Sequence, residues 1–246
     1  MPLVEEFIKS GHKLFRWRSY LPLVLIAVLL ASLRYFHYPF GRQGLDSIWE
    51  CLCLLVSLAG FGLRVLVAGY APRGTSGRNT KKQRADSLNT SGMYSVVRHP
   101  LYTGNFLMGL GVSMFLCLWW LPLIYALSFA VYYERIMFTE EAFLSDSYGM
   151  FYLEWAQRTP AFLPNPFLWQ QPNLPFSLKT ALRREYQSLF ALVATMFALE
   201  TVSDWYLNKA YTFDLFWTCL LAAALVMYIV MFIFHKHSTM LKTKGR

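Results

Sequence analysis

The sequence predicts an all-α, polytopic membrane helical bundle. Hydrophobic residues make up 56% of its 246 positions, and charged residues only 15%. The apolar residues gather in long runs, not in the short alternations of half-buried strands. An ordinary soluble domain carries roughly 25% charged residues, and one of this size cannot hide so much apolar surface. Soluble dinucleotide enzymes, secreted disulfide scaffolds and disordered regulators are therefore excluded. Mean hydropathy is +0.34. The net charge of +9 needs no nucleic-acid partner, because excess Lys and Arg in a membrane protein belong in cytoplasmic loops.

Six crossings are expected, near residues 20–36, 47–70, 100–118, 121–138, 188–205 and 213–234. Each is close to the ~20 residues a helix needs to span a bilayer. The first is read as a retained span, since no small-residue cleavage site precedes Arg34. The third and fourth form a tight hairpin, with Trp119, Trp120 and Pro122 at the turn. Five spans would result if those two did not both cross.

Basic residues set the orientation. They sit in the first tail (Lys9, Lys13, Arg16, Arg18), after span two (Arg73, Arg78, Lys81, Lys82, Arg84, Arg98) and after span four (Arg135, Arg158, Lys179, Arg183, Arg184). The last tail adds Lys236, Lys242, Lys244 and Arg246. Of the 23 Lys and Arg, only Arg34, Arg42, Arg64 and Lys209 lie elsewhere. Both termini and both large loops are thus expected in the cytoplasm, and the short tails suggest a bacterial inner membrane. Residues 74–92 read as a polar loop. Residues 160–175 hold Pro160, Pro164, Pro166, Pro172 and Pro175, which forbid a helix and suggest an interfacial strap. Residues 177–187 read as a short surface helix.

Polar residues in so apolar a chain are costly and therefore informative. One cluster is Arg98-His99-Pro100-Leu101-Tyr102-Thr103-Gly104. Pro100 suits the first turn of span three, which puts Arg98 and His99 at a helix mouth whose free N–H groups favour an anion. Gly104, Gly109 and Gly111 keep that helix thin, so that a ligand or another helix can come close. The second cluster is Glu140-Glu141, followed by Leu144, Tyr148-Gly149, Tyr152 and Trp155. It reads as an interfacial helix with carboxylates at its start. Cys51, Cys53, Cys117 and Cys219 form no Cys-x-x-Cys pair and have no His at metal spacing, so no metal site is expected.

Arg98-His99-Pro100-x-Tyr102-x-Gly104, then Glu140-Glu141-x-x-Leu144-x-x-x-Tyr148-Gly149-x-x-Tyr152, resembles the pattern of membrane-embedded methyltransferases similar to isoprenylcysteine carboxyl methyltransferase and phospholipid methyltransferase. The resemblance runs from about residue 60 to 164 and includes Gly60-x-x-x-Arg64. Trp155 departs from it, standing where the group usually has Tyr. It implies one integral membrane domain over 1–246: first spans to 59, a methyltransferase core at 60–164, and a strap with two further spans at 165–246. It implies an S-adenosylmethionine site lined by His99, Tyr102, Gly104, Glu140, Glu141, Tyr148 and Tyr152. Arg98, Glu141 and Arg64 are the catalytic candidates, acting on a lipid or lipidated acceptor at the cytoplasmic face.

The chemistry is in-line displacement at a sulfonium methyl, which needs alignment and exclusion of water but no metal. A carboxylate or phosphate acceptor is already ionised and needs only a cation, Arg98 or Arg64, to position it. Arg64 is equally read as snorkelling from span two. An amine head group would instead need a base such as Glu134 or Glu141. Glu200 and Asp204 are expected simply to reach the far interface. A sterol-reductase-like enzyme would need more spans than six, and a transporter or assembly protein would need paired charges along a path or repeated halves.

Overall fold

The computed structural model describes residues 3–38, 43–72, 87–209 and 214–237, and every described regular element is helical. Nine α-helices follow one another among these residues: α1 (Leu3–Trp17), α2 (Leu21–Ser32), α3 (Asp46–Tyr70), α4 (Met93–Val96), α5 (Pro100–Met114), α6 (Trp120–Tyr148), α7 (Met150–Arg158), α8 (Leu178–Asn208) and α9 (Leu215–His237). Most of the polar 74–92 loop, Arg42, and the basic residues Arg73, Arg78, Lys81, Lys82, Arg84, Lys242, Lys244 and Arg246 lie outside the described residues.

Three helices, α3, α8 and α9, are long and apolar enough to cross a membrane, and the α1–α2 pair, bent by 74°, is at most a fourth. The expected count of six is not confirmed. The reason is length and charge. With a rise of 1.5 Å per residue, the 15-residue α5 covers only about 22 Å, short of the ~30 Å hydrocarbon core. Helix α6 is long but carries Glu134, Arg135, Glu140 and Glu141. The chain is nonetheless an integral membrane protein. Apolar side chains such as Leu55, Leu127, Val226, Val230 and Ile233 stand exposed on its outer helix faces, where only lipid can cover them.

Helix α3 packs along α5 more extensively than any other pair, and small residues make that approach possible. A Cβ on Gly60 would stand 2.5 Å from the Gly104 carbonyl oxygen, and one on Gly104 would stand 2.8 Å from Arg64 Cγ. The glycines of α5 therefore admit a neighbouring helix. The α5–α6 hairpin turns over Phe115–Trp119, with Cys117 at φ 53°.

Three boundaries differ from expectation. The first tail is a helix: α1 is amphipathic and lies against α6, where Tyr132 donates to the Leu14 carbonyl (2.7 Å) and Thr139 to the Ile8 carbonyl (3.1 Å). Glu140 and Glu141 do not open a new helix but extend α6, which ends at Tyr148, where Gly149 adopts φ +56°. The expected surface helix 177–187 is continuous with the fifth apolar segment in the 31-residue α8. The proline strap is non-helical apart from a single 3-10 turn, Pro166–Leu168.

Candidate functional site

The strap sets the mouth of α5. The amide of Arg98 donates to the Pro160 carbonyl (2.8 Å), that of His99 to Ala161 (3.2 Å), and that of Asn165 to Val96 (3.0 Å). Thr103 Oγ1 adds a bond to the Phe162 carbonyl at 2.9 Å. The amides of Arg98 and His99 are therefore taken by the strap, while those of Tyr102 and Thr103 turn back to the His99 carbonyl.

The two motifs meet there. Arg98 Nη1 reaches both carboxylate oxygens of Glu141 at 3.0 Å. His99 Nε2 lies 3.0 Å from Glu141 Oε1, and its Nδ1 lies 3.6 Å from Glu140 Oε2. The Tyr102 hydroxyl donates to Glu140 Oε1 at 2.5 Å. His99 is 7% exposed, and its ring stacks on Tyr102 with centroids 5.7 Å apart. Burial disfavours the charged imidazolium, but hydrogen bonds to Glu140 and Glu141, and their negative charge, outweigh it and raise the His99 pKa. Burial pushes the Glu141 carboxyl up; the bond to His99 and the charges of His99 and Arg98 more than reverse this, and its pKa is lowered. Each partner thus favours the charged form of the other.

Three polar hydrogens are left over at this place. Arg98 Nε, the Tyr152 hydroxyl and Trp155 Nε1 are buried atoms without a hydrogen-bond partner. The Tyr152 hydroxyl lies close to both Arg98 and Glu141, and its ring lies 5.7 Å from that of Trp155. Native proteins rarely leave such groups unmatched unless water, an ion or a ligand completes them.

Of the residues singled out in the sequence, Arg98, His99, Tyr102, Glu140, Glu141 and Tyr152 come together. Gly104 faces α3, and Tyr148 closes α6. Glu134 is exposed. Arg64 stands apart from the carboxylate pair. Its guanidinium makes a two-pronged bond to Glu185 (Nε–Oε2 2.9 Å, Nη2–Oε1 3.0 Å) and also reaches Asn105 and Ser188. It joins α3, α5 and α8, and Asn105 relays it to Tyr133, whose ring lies 4.8 Å from that of Tyr102.

Sequence reasoning missed two participants. Arg18, in the bend between α1 and α2, donates to the Tyr102 hydroxyl at 3.2 Å, lies 3.6 Å from Glu140 Oε1, and rests over the Phe15 ring at 3.9 Å. Its only signal was its place between an amphipathic and an apolar stretch. Glu185 was hidden among Lys179, Arg183 and Arg184, although a lone acid in a basic run is itself a signal.

The helical membrane bundle thus joins the two motifs into one partly buried cluster of opposite charges. Residues 53–150 match the family model for phospholipid methyltransferase. The chain is 33% identical over 162 residues to the cobalt-zinc-cadmium resistance protein CzcN of Cupriavidus metallidurans, covering 65% of this chain and 68% of that one. It is 30% identical over 154 residues to protein-S-isoprenylcysteine O-methyltransferase B of Arabidopsis thaliana, covering 56% and 72%. The human protein-S-isoprenylcysteine O-methyltransferase is 32% identical over 129 residues, covering 48% and 45%. No solved structure matches the chain significantly. The protein belongs to the isoprenylcysteine and phospholipid methyltransferase family and is an integral membrane methyltransferase dependent on S-adenosylmethionine.

Proposed function

We propose that the protein methylates a carboxylate or phosphate oxygen of a lipid or lipidated acceptor, at the membrane face where α5 begins. The carrying observation is the set of unmatched donors around Arg98: its own Nε, the Tyr152 hydroxyl and Trp155 Nε1. Buried donors left unmatched on and near a guanidinium suit an anionic oxygen. The placement of Lys and Arg along the chain supports the cytoplasmic face.

S-adenosylmethionine, when bound, supplies an electrophilic methyl on a cationic sulfur. Glu140 and Glu141 provide the negative charge that suits its cationic groups, and the faces of Tyr102 and Tyr152 suit a sulfonium. Arg98 holds the acceptor oxygen through the bonds it does not give to Glu141. His99 keeps the Glu141 carboxylate ionised and fixed, and the strap keeps water out of the α5 mouth. Arg64 is a positioning residue, since Glu185 already occupies its fork. Residues 60–164 then carry the transfer, while the strap and the last helices shape access for the acceptor.

An amine acceptor is less well served. It requires a base, but Glu134 is exposed and Glu141 is held below the ordinary carboxylate range. The test is to incubate membranes containing the protein with methyl-labelled S-adenosylmethionine. Label entering lipid or lipidated protein at an oxygen supports the reading, and release by mild base identifies a carboxyl ester. Label held at nitrogen overturns it.

A further inference from the structure

A second cluster of carboxylates lies toward the opposite end of the bundle. Asp46 opens α3, Glu50 follows one turn later, and Glu200 comes from α8; one oxygen from each lies within 4.8 Å of the others. Asp204, one turn beyond Glu200, adds negative charge nearby. Glu50 and Arg64 are 14 positions apart on α3, about 21 Å along the helix, so this cluster is separate from the methyl-transfer site.

An acidic cluster by itself is no site, but Glu50 is unusual. It is only 7% exposed. Trp217 of α9, fully buried, donates its indole N–H to Glu50 Oε2 at 2.9 Å, which fixes the carboxylate. The other oxygen, Oε1, is buried without a hydrogen-bond partner. Among the described residues, none of Asp46, Glu50 and Glu200 has a Lys or Arg ion-pair partner. A buried carboxylate fixed on one oxygen and unmatched on the other, grouped with two more carboxylates, calls for a cation or a shared proton.

We propose that Asp46, Glu50 and Glu200 bind a hard divalent cation that pins α3 to α8, with α9 held alongside through Trp217. The donor set decides the class. Three carboxylate oxygens with no thiolate or imidazole suit Ca2+ or Mn2+ over soft metals. Water completes the coordination from the partly open Asp46 side. The role is structural, since the cluster is remote from the residues that handle the donor and acceptor.

The test uses the full chain, purified, stripped with chelator and placed in zwitterionic nanodiscs. Mn2+ binding is followed by electron paramagnetic resonance, and Ca2+ competes for the same site. One saturable site per chain is expected. Glu200→Gln and Asp46→Asn should weaken it at least tenfold while leaving methyl transfer unchanged. Ca2+ should also raise the thermal midpoint, read by tryptophan emission, in the parent protein and not in Glu200→Gln. Glu50→Gln is avoided because it also disturbs the Trp217 bond. Absence of a saturable site in the parent protein, or equal binding by Glu200→Gln, overturns the proposal and means that shared protons neutralise the cluster.

Discussion

The molecule holds carboxylates in two clusters, and they are solved in opposite ways. Glu140 and Glu141 are surrounded by Arg98, His99, Tyr102 and Arg18, each within hydrogen-bond or ion-pair distance. Asp46, Glu50 and Glu200 face one another, with one indole N–H directed at Glu50. In the first cluster the protein supplies both signs of charge, and the leftover valence is donor: Arg98 Nε, the Tyr152 hydroxyl and Trp155 Nε1. In the second the leftover valence is an acceptor, Glu50 Oε1. Buried charge is read by what remains unmatched after the internal pairs are counted. The donor-rich end suits an anion, and the acceptor-rich end suits a cation.

The sharpest way to break the first cluster is to remove its hub. Glu141→Ala leaves Arg98 and His99 without their shared partner, and should lower methyl transfer about 100-fold or more, since small misplacement of reacting groups already costs that much. A labelled-methyl assay checks it, and calorimetry with S-adenosylmethionine should show lost affinity in a protein that remains folded. Unchanged affinity would remove Glu141 from the donor side. Next in size is the Arg64–Glu185 brace, which lies between the two clusters. Both side chains are mostly buried, at 15% and 6% exposure. Glu185→Ala leaves a buried guanidinium unpaired and should cost about 3–5 kcal/mol of stability, seen as a lower thermal midpoint in detergent. The double replacement Arg64→Met with Glu185→Leu should recover most of that loss. If it recovers stability yet loses activity, Arg64 serves methyl transfer beyond bracing the fold.

Much of the first cluster was legible in the sequence because its parts are local. Arg98, His99 and Tyr102 sit in one short motif at a proline-started helix, and Glu140 and Glu141 are adjacent, so only the meeting of two segments had to be inferred. The resemblance supplied that meeting. Arg18 and Glu185 were not legible, because each acts across more than 80 positions, on Tyr102 and Arg64 respectively. The second cluster was not legible for the same reason: nothing local in the sequence ties Glu200 to Glu50. The all-helical bundle was legible from the apolar runs. The span count was not, because hydropathy does not register that α5 stops at Met114 or that α6 runs on through charged residues to Tyr148.

Arg98 separates acceptor handling from donor handling within the first cluster. Arg98→Ala should lower turnover about 10- to 100-fold while changing S-adenosylmethionine affinity much less, and Arg98→Lys should not restore it, because one ammonium cannot serve Glu141 and an acceptor oxygen together. A larger loss in cofactor affinity than in turnover would move Arg98 to the donor side and weaken the comparison with the cation-seeking end.

The smallest effect expected is a pH dependence of stability confined to the first cluster. His99 has a raised pKa in the folded protein, so its contribution is complete below its ordinary value of 6.5 and is lost as pH rises through the raised value. Glu141 has a lowered pKa, so its contribution is present above its ordinary value of 4.5 and is lost only as pH falls through the depressed value. Between those ordinary values both contributions are complete. The thermal midpoint should therefore decline on the alkaline side, once His99 gives up its proton. One proton is worth at most about 1.4 kcal/mol per pH unit, which corresponds to a fall of no more than about 3–6 °C per unit for a chain of this size. His99→Asn should flatten the alkaline decline, because the neutral amide carries no proton to lose. Glu200→Gln should leave it intact, because that carboxylate belongs to the other cluster. An alkaline decline that survives His99→Asn would mean that a different group sets it, and that the imidazole is not the base-sensitive partner of Glu141.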